Sequence, residues 1–81
     1  MAETTFQAPS NEELQEEALR HLKQQDPKSY RLMTERGRAE YASLQAHNCR
    51  DEAEARCKQG EQPQKAWHAA MREILAGVPE D

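Results

Sequence analysis

The sequence has few of the residues that build a large hydrophobic core. Aromatic residues make up 5% of the chain, with one Trp, two Tyr and one Phe. About thirteen side chains are large and apolar, and burying each of them gains roughly 1.5–3 kcal/mol. Ordering each residue costs about 1.5 kcal/mol, so little net stability remains for a chain of 81 residues. Chains of this size often depend on a staple, a metal or a partner subunit, and we therefore expect self-association.

Two kinds of apolar segment are also missing. No run is long enough to span a bilayer, and the first ten residues, MAETTFQAPS, lack the basic and apolar regions of a signal peptide. We therefore expect a cytoplasmic protein with reduced thiols and no membrane partner. The formal net charge of −4 argues against general binding to nucleic acids or membrane surfaces.

Alternating apolar and polar residues, the pattern of a strand, occur nowhere in the chain, and β-branched residues are few. The sequence therefore predicts an all-α protein, a small helical hairpin or three-helix unit in a single domain over residues 11–78. Residues 1–10 have no periodicity and are predicted to be a disordered leader, with Phe6 moving with it unless it serves as an anchor. Residues 79–81 are predicted to be a C-terminal tail.

The first helix is predicted at about 11–25. Ser10 and Glu13 have the spacing of a capping box, in which the hydroxyl and the carboxylate each accept a hydrogen bond from a free backbone N–H. Acidic residues near its start and basic residues near its end stabilise the helix by interacting with its dipole.

The second helix is predicted to run from about 27 to 58. Asp26 is a good N-cap, and Pro27 fits the first helical position. Gly37 is the one residue in this range that disfavours a helix, at about 1 kcal/mol. We therefore expect this helix to be continuous or kinked at Gly37.

The third helix is predicted at about 63–76. Pro63 fits its start, and Gly77 with Pro79 fits its end.

The two cysteines lie in the predicted second helix. Cys49 and Cys57 are eight residues apart, so an intact helix separates them by about 12 Å. A disulfide needs Cα atoms within about 7 Å, and we expect two free thiols. His47, Cys49, Cys57 and His68 could ligate zinc by residue type, but their spacing matches no usual zinc motif. No local feature marks either thiol as an activated nucleophile, so we expect no metal, no cofactor and no catalytic residue.

A stripe of small residues follows the second helix in steps of three and four. Large residues such as Tyr41 and Leu44 lie roughly opposite, because successive helical residues are about 100° apart. We expect the large residues to pack under the other two helices and the small stripe to meet a helix of a second copy. The alternative is that these residues only favour helix formation on a solvated face. The predicted self-association face comprises Ala39, Ala42, Ala46, Cys49, Ala53 and Cys57.

Residues 20–38 are basic although the chain is acidic. Six Lys or Arg against two acidic residues give this segment +4 in a chain of −4, so the remainder carries −8. Such a segment suits an acidic protein surface, and residues 12–17 could supply one across a dimer. Nucleic acid is the second hypothesis, because tyrosines beside the cluster could stack on bases. The third interpretation is a solvated face with intrahelical ion pairs. The candidate partner-binding residues are Lys28, Tyr30, Arg31, Arg36, Arg38 and Tyr41.

The sequence is therefore most consistent with a small helical protein-binding module. We expect an adaptor, regulator or inhibitor that occludes the surface of a protein partner, and that forms a homodimer. A nucleic-acid-binding regulator using segment 20–38 is the alternative. An enzyme is not expected, because the chain has no paired carboxylates, nucleophile–base set or glycine-rich phosphate loop that stands out.

Overall fold

The computed structural model describes residues 6–77, which contain four α-helices and no strand. The all-α prediction is confirmed. Residues 1–5 of the predicted leader, Val78 and the predicted tail 79–81 lie outside the described residues. The helices are α1, Asn11–Gln25; α2, Pro27–Leu32; α3, Glu35–Lys58; and α4, Pro63–Ala70, which continues as a π-helical segment, Met71–Leu75.

Helix α1 begins with the predicted capping box. The Ser10 backbone N–H donates to Glu13 Oε1 at 2.8 Å, and the Glu13 N–H donates to Ser10 Oγ at 3.1 Å. Asp26 ends α1 and also caps α2, where its carboxylate accepts hydrogen bonds from the hydroxyl and the backbone N–H of Ser29. Both bonds lower the pKa of Asp26, and the bond from the Ser29 hydroxyl has the larger effect. Both helix boundaries were therefore readable from capping chemistry.

The predicted second helix is divided, and the break lies before Gly37. Helix α2 ends at Leu32, and α3 begins at Glu35. Thr34 caps α3, because its side-chain oxygen accepts a hydrogen bond from the Gly37 N–H at 2.9 Å. A Cβ atom at position 37 would lie 3.2 Å from that oxygen, so glycine leaves room for a close cap. The prediction of one helix over 27–58, continuous or kinked at Gly37, is therefore wrong. Thr34 starts a new helix as its N-cap, and Gly37 lies inside the first turn of that helix.

The core is built around α3, which packs against both α1 and α4 with its π-helical extension. Helix α3 contributes only small residues to this core, whereas its neighbours contribute both large and small ones. The buried core cluster contains Leu14 and Ala18 of α1, Ala46, Cys49 and Ala53 of α3, and Trp67, Ala70 and Leu75 of the C-terminal helical region. Ala42 of α3 is buried as well.

This arrangement reverses the predicted use of the two faces of α3. The small residues Ala46, Cys49 and Ala53 are at most 2% exposed within a single chain, and so the chain's own helices cover them. Leu44, predicted to face inward, is 57% exposed, whereas Tyr41 is half-buried and packs against the core cluster. The physical reason is the pairing of large with small side chains. A flat face of alanine and cysteine lets two neighbouring helices approach closely while Leu14 and Trp67 fill the space between them.

The last five residues of the predicted leader are described. Residues 6–10 are neither helix nor strand, but Phe6 is half-buried and packs against the core cluster. The anchoring alternative is therefore the one found for Phe6.

Two polar contacts fix the ends of α1. The Arg50 guanidinium of α3 donates to Asn11 Oδ1 at 2.6 Å and lies 5.5 Å from the Trp67 ring centroid. At the other end, Gln25 Nε2 donates to the backbone carbonyl of Ala76 at 2.6 Å. Each contact joins α1 to a different part of the chain, so the short core is held at both ends.

Enlarging a small residue on the buried face of α3 should destabilise the fold. We expect Ala53→Leu to lower the free energy of unfolding by about 1–3 kcal/mol, because a fully buried site has no room for three more carbons. Ala55→Leu is the matched control, since Ala55 is exposed on the same helix and should change stability by no more than about 0.5 kcal/mol. Urea unfolding followed by circular dichroism measures both. Equal effects at the two positions would contradict the described core.

Candidate protein-binding groove

An open groove lies between α1, α2 and the first half of α3. Its volume is about 570 Å³, within the range of sites that hold ligands. Four of the residues singled out in the sequence meet here: Tyr30, Arg38, Ala39 and Ala42. We call this site the α1–α3 groove, and its lining residues are Glu12, Gln15, Glu16, Leu19, Tyr30, Glu35, Arg38, Ala39 and Ala42.

The apolar part of the groove comes from Leu19, Ala39 and Ala42. Ala42 is buried, Leu19 is half-buried and Ala39 is exposed. Alanine side chains are short, so the α3 side of the groove is low and leaves space beside Leu19. Ala39 and Ala42, at the N-terminal end of the small stripe, therefore line a groove, whereas Ala46, Cys49 and Ala53 belong to the core. Cys57, at the other end of the stripe, is half-buried.

Carboxylates surround this apolar part. Glu12 and Glu16 lie one turn apart on α1, and Glu35 is the first residue of α3. All three are exposed, and within residues 6–77 none of their carboxylates takes part in a hydrogen bond or an ion pair. Their negative charges are therefore directed at solvent, or at whatever enters the groove.

Tyr30 and Arg38 form one side of the groove as a stacked pair. The Arg38 guanidinium carbon lies 4.1 Å from the Tyr30 ring centroid, and its Nε donates to the Tyr30 carbonyl at 3.0 Å. The Lys23 ammonium lies 5.7 Å from the same ring. These cation–π contacts occupy the ring, so the Tyr30 side chain supports α2 and is not a free platform for stacking on a base.

The other predicted partner-binding residues do not converge. Lys28 and Arg31 are exposed on α2, and neither has a salt-bridge partner within the described part of the chain. Arg36 pairs with Glu40 one turn later, at 3.3 Å. Tyr41 lies against the core cluster. The basic segment is therefore divided between α2 and the start of α3, and only part of its charge is unpaired.

The two cysteines are both free thiols in this structure. Cys49 is fully buried, and burial raises its pKa to about 11, although the charge of Arg50 opposes this rise. A thiol with this pKa stays protonated at neutral pH and is a poor nucleophile. Cys57 is half-buried near the end of α3.

The histidines considered as zinc ligands lie elsewhere. His47 is exposed and pairs with Asp51 on α3 at 3.2 Å, while His68 lines a small groove beside α1 with His21. Among residues 6–77, no three His, Cys, Asp or Glu side chains are grouped so that they could hold a metal ion.

Sequence reasoning missed a cluster of charged residues at the C-terminal end of α3. Arg56 is 16% exposed and forms ion pairs with Glu52 at 2.8 Å, Glu61 at 3.6 Å, and Glu73. These contacts join α3, the loop after it and the π-helical segment. Only the Glu52–Arg56 ion pair could have been predicted from the sequence, because the two residues are four apart on one helix. The other partners depend on how the chain folds back, so this cluster serves the fold.

Comparisons of the chain with protein-family models, with curated proteins and with solved structures found no match. None of the helices within residues 6–77 combines the length and the apolar character needed to cross a bilayer.

Thiol labelling should separate the two cysteines. In the native protein at pH 8, we expect a small thiol reagent to modify Cys57 first, and Cys49 only as fast as the fold opens, because Cys49 is buried and protonated. The Cys57→Ala variant should keep only the slow reaction, and denaturant should make the two wild-type rates converge. Fast labelling of Cys49 in the Cys57→Ala variant would show that the small face of α3 is open.

Proposed function

We propose that this chain is a non-catalytic protein-binding module, and that its α1–α3 groove takes an apolar side chain flanked by lysine or arginine from a protein partner. It acts as an adaptor, regulator or inhibitor by covering the surface that it binds. The setting that we propose is the cytoplasm, where free thiols such as Cys49 and Cys57 stay reduced.

The observation that carries this proposal is the combination of an apolar strip with unpaired carboxylates. Leu19, Ala39 and Ala42 offer a surface that gains from losing contact with water. Glu12, Glu16 and Glu35 surround it, and no cation of the described chain pairs with them. Because charges at the rim of an interface steer association and select partners, a cationic amphipathic segment is the matching ligand.

The buried thiol also favours binding over catalysis. Cys49 is a fully buried thiol, but its raised pKa and its place among Leu14 and Trp67 make it a core residue. The proposal therefore assigns no chemical step to this protein.

Nucleic acid remains the second hypothesis, with Lys28 and Arg31 as its available contacts. It has less support, because Arg36 already pairs with Glu40 and Arg38 is stacked on Tyr30. Nucleic-acid binding that falls steeply with added salt, and that is lost in Lys28→Glu with Arg31→Glu, would replace the protein-binding proposal.

The proposal is tested with two labelled helical peptides that differ only in charge, one of leucine and lysine and one of leucine and glutamate. We expect the chain to bind the leucine–lysine peptide and to bind its acidic counterpart far more weakly. Glu16→Lys should weaken binding about two- to fivefold, the usual effect of a surface charge pair. Fluorescence anisotropy at low and moderate salt measures the affinities.

Glu54→Lys is the matched control. Glu54 is also an exposed helical glutamate without a salt-bridge partner in residues 6–77, but it lies outside the groove. The same charge change there should leave specific binding almost unchanged. Equal losses in both variants, or equal binding of both peptides, would reduce the effect to net charge and overturn the proposed groove.

A further inference from the structure

The outward face of α2 carries an apolar side chain flanked by cations. Leu32 is 77% exposed, more than Leu44, the other exposed large hydrophobic residue within residues 6–77. Lys28 lies one helical turn before Leu32, and Arg31 lies three residues after Lys28, so the three side chains fall within about 100° around the short helix. Neither cation has an ion-pair partner among residues 6–77. This face therefore has the features of the ligand proposed for the α1–α3 groove, which are an apolar side chain and flanking cations.

The chain cannot place this face in its own groove. Tyr30 of α2 already lines the groove, and positions 28 and 32 lie about 200° from position 30 around a helix. Lys28 and Leu32 therefore point away from the groove that their own helix borders. A second molecule is needed to bring the two complementary surfaces together.

We infer that a second copy of this chain covers the α1–α3 groove, with its Leu32 on the apolar strip and its Lys28 and Arg31 against Glu12 and Glu16. The inference rests on the proposed function, because it uses the same groove. Since α2 borders the groove, both surfaces lie at the same end of the molecule. A two-fold axis beside α2 then lets each copy supply one groove and one Leu32, as in the usual self-complementary dimer.

This dimer differs from the one expected from the small stripe. It leaves Ala46, Cys49 and Ala53 in the core of each chain, and it uses charges that the single chain leaves unpaired. It also regulates the groove, because a partner's cationic segment must displace α2 of the second copy. Self-association and partner binding are then mutually exclusive.

Sedimentation equilibrium on three proteins tests the dimer. We expect the wild type to be dimeric, and Leu32→Glu to weaken the dimer about tenfold or more, because it removes a buried leucine from the contact and adds a charge facing carboxylates. Leu44→Glu is the matched control, since Leu44 is the other exposed leucine and lies outside the groove. It should dimerise as the wild type does. A monomeric wild type at concentrations up to about 300 µM, or equal effects of both substitutions, would overturn the inference.

A charge exchange gives a positive test. The double variant Lys28→Glu with Arg31→Glu should be monomeric, and so should Glu12→Lys with Glu16→Lys. An equal mixture of the two should form a heterodimer, because each α2 then meets a groove of opposite charge. Failure of the mixture to associate while both variants stay folded by circular dichroism would contradict the proposed pairing.

The failure of this inference is distinguishable from that of the proposed function. Leu32→Glu keeps the groove intact and removes its proposed cover, so it should bind the leucine–lysine peptide more tightly than the wild type does. Peptide binding by a wild type that is monomeric overturns the dimer and keeps the groove. A wild type that dimerises through Leu32, with no peptide binding by Leu32→Glu, overturns the proposed function and keeps the dimer.

Discussion

The close approach of two helices to the small-residue face of α3 is the contact on which the structure depends. Ala46, Cys49 and Ala53 occupy little space, so α1 and the C-terminal helical region can pack against α3 and bury Leu14, Trp67 and Leu75. A chain with few large apolar side chains gains most when each of them is fully enclosed. Using one helix as a flat support achieves this with a core cluster of eight buried residues.

The same arrangement leaves the groove and the exposed face of α2 at one end of the molecule. The core cluster uses α3 between residues 46 and 53, and Ala39 and Ala42 in the first part of that helix line an open groove together with Leu19. Helix α2 is separated from α3 by the cap at Thr34, and one of its faces therefore stays uncovered. The proposed partner site and the proposed dimer contact both exist because the core cluster covers only residues 46–53 of the longer helix α3.

Local signals in the sequence were sufficient to predict most of the helix boundaries. The Ser10–Glu13 capping box, the Asp26–Pro27 start and the Gly77 end depend only on neighbouring residues, and the structure contains each of them. The break at Thr34 was missed because only Gly37 was considered as a possible interruption, in a long segment without an internal proline. It could have been found from Thr34 followed by an acidic first turn.

The face of α3 and the groove could not be obtained from the same signals. Apolar periodicity gives weight to large residues, but on α3 Leu44 is exposed and Tyr41 is only half-buried, whereas Ala46, Cys49 and Ala53 are buried. Which face is buried depends on the large side chains that the other helices supply, which is a property of the whole fold. The groove likewise requires α1, α2 and α3 together, so only its members Tyr30, Arg38, Ala39 and Ala42 could be proposed in advance, and for separate reasons.

The central claim is that the small face of α3 packs against helices of its own chain. Isotope-filtered nuclear Overhauser spectroscopy tests this most directly, on a sample that mixes labelled with unlabelled protein. We expect contacts from the methyl groups of Leu14 and Ala18 to those of Ala46 and Ala53 in uniformly labelled protein. The filtered experiment, which detects contacts between different chains, should show none of them. Cross-peaks from Ala46 or Ala53 that occur only between chains would contradict this account, because they would place the small face of α3 at a dimer interface.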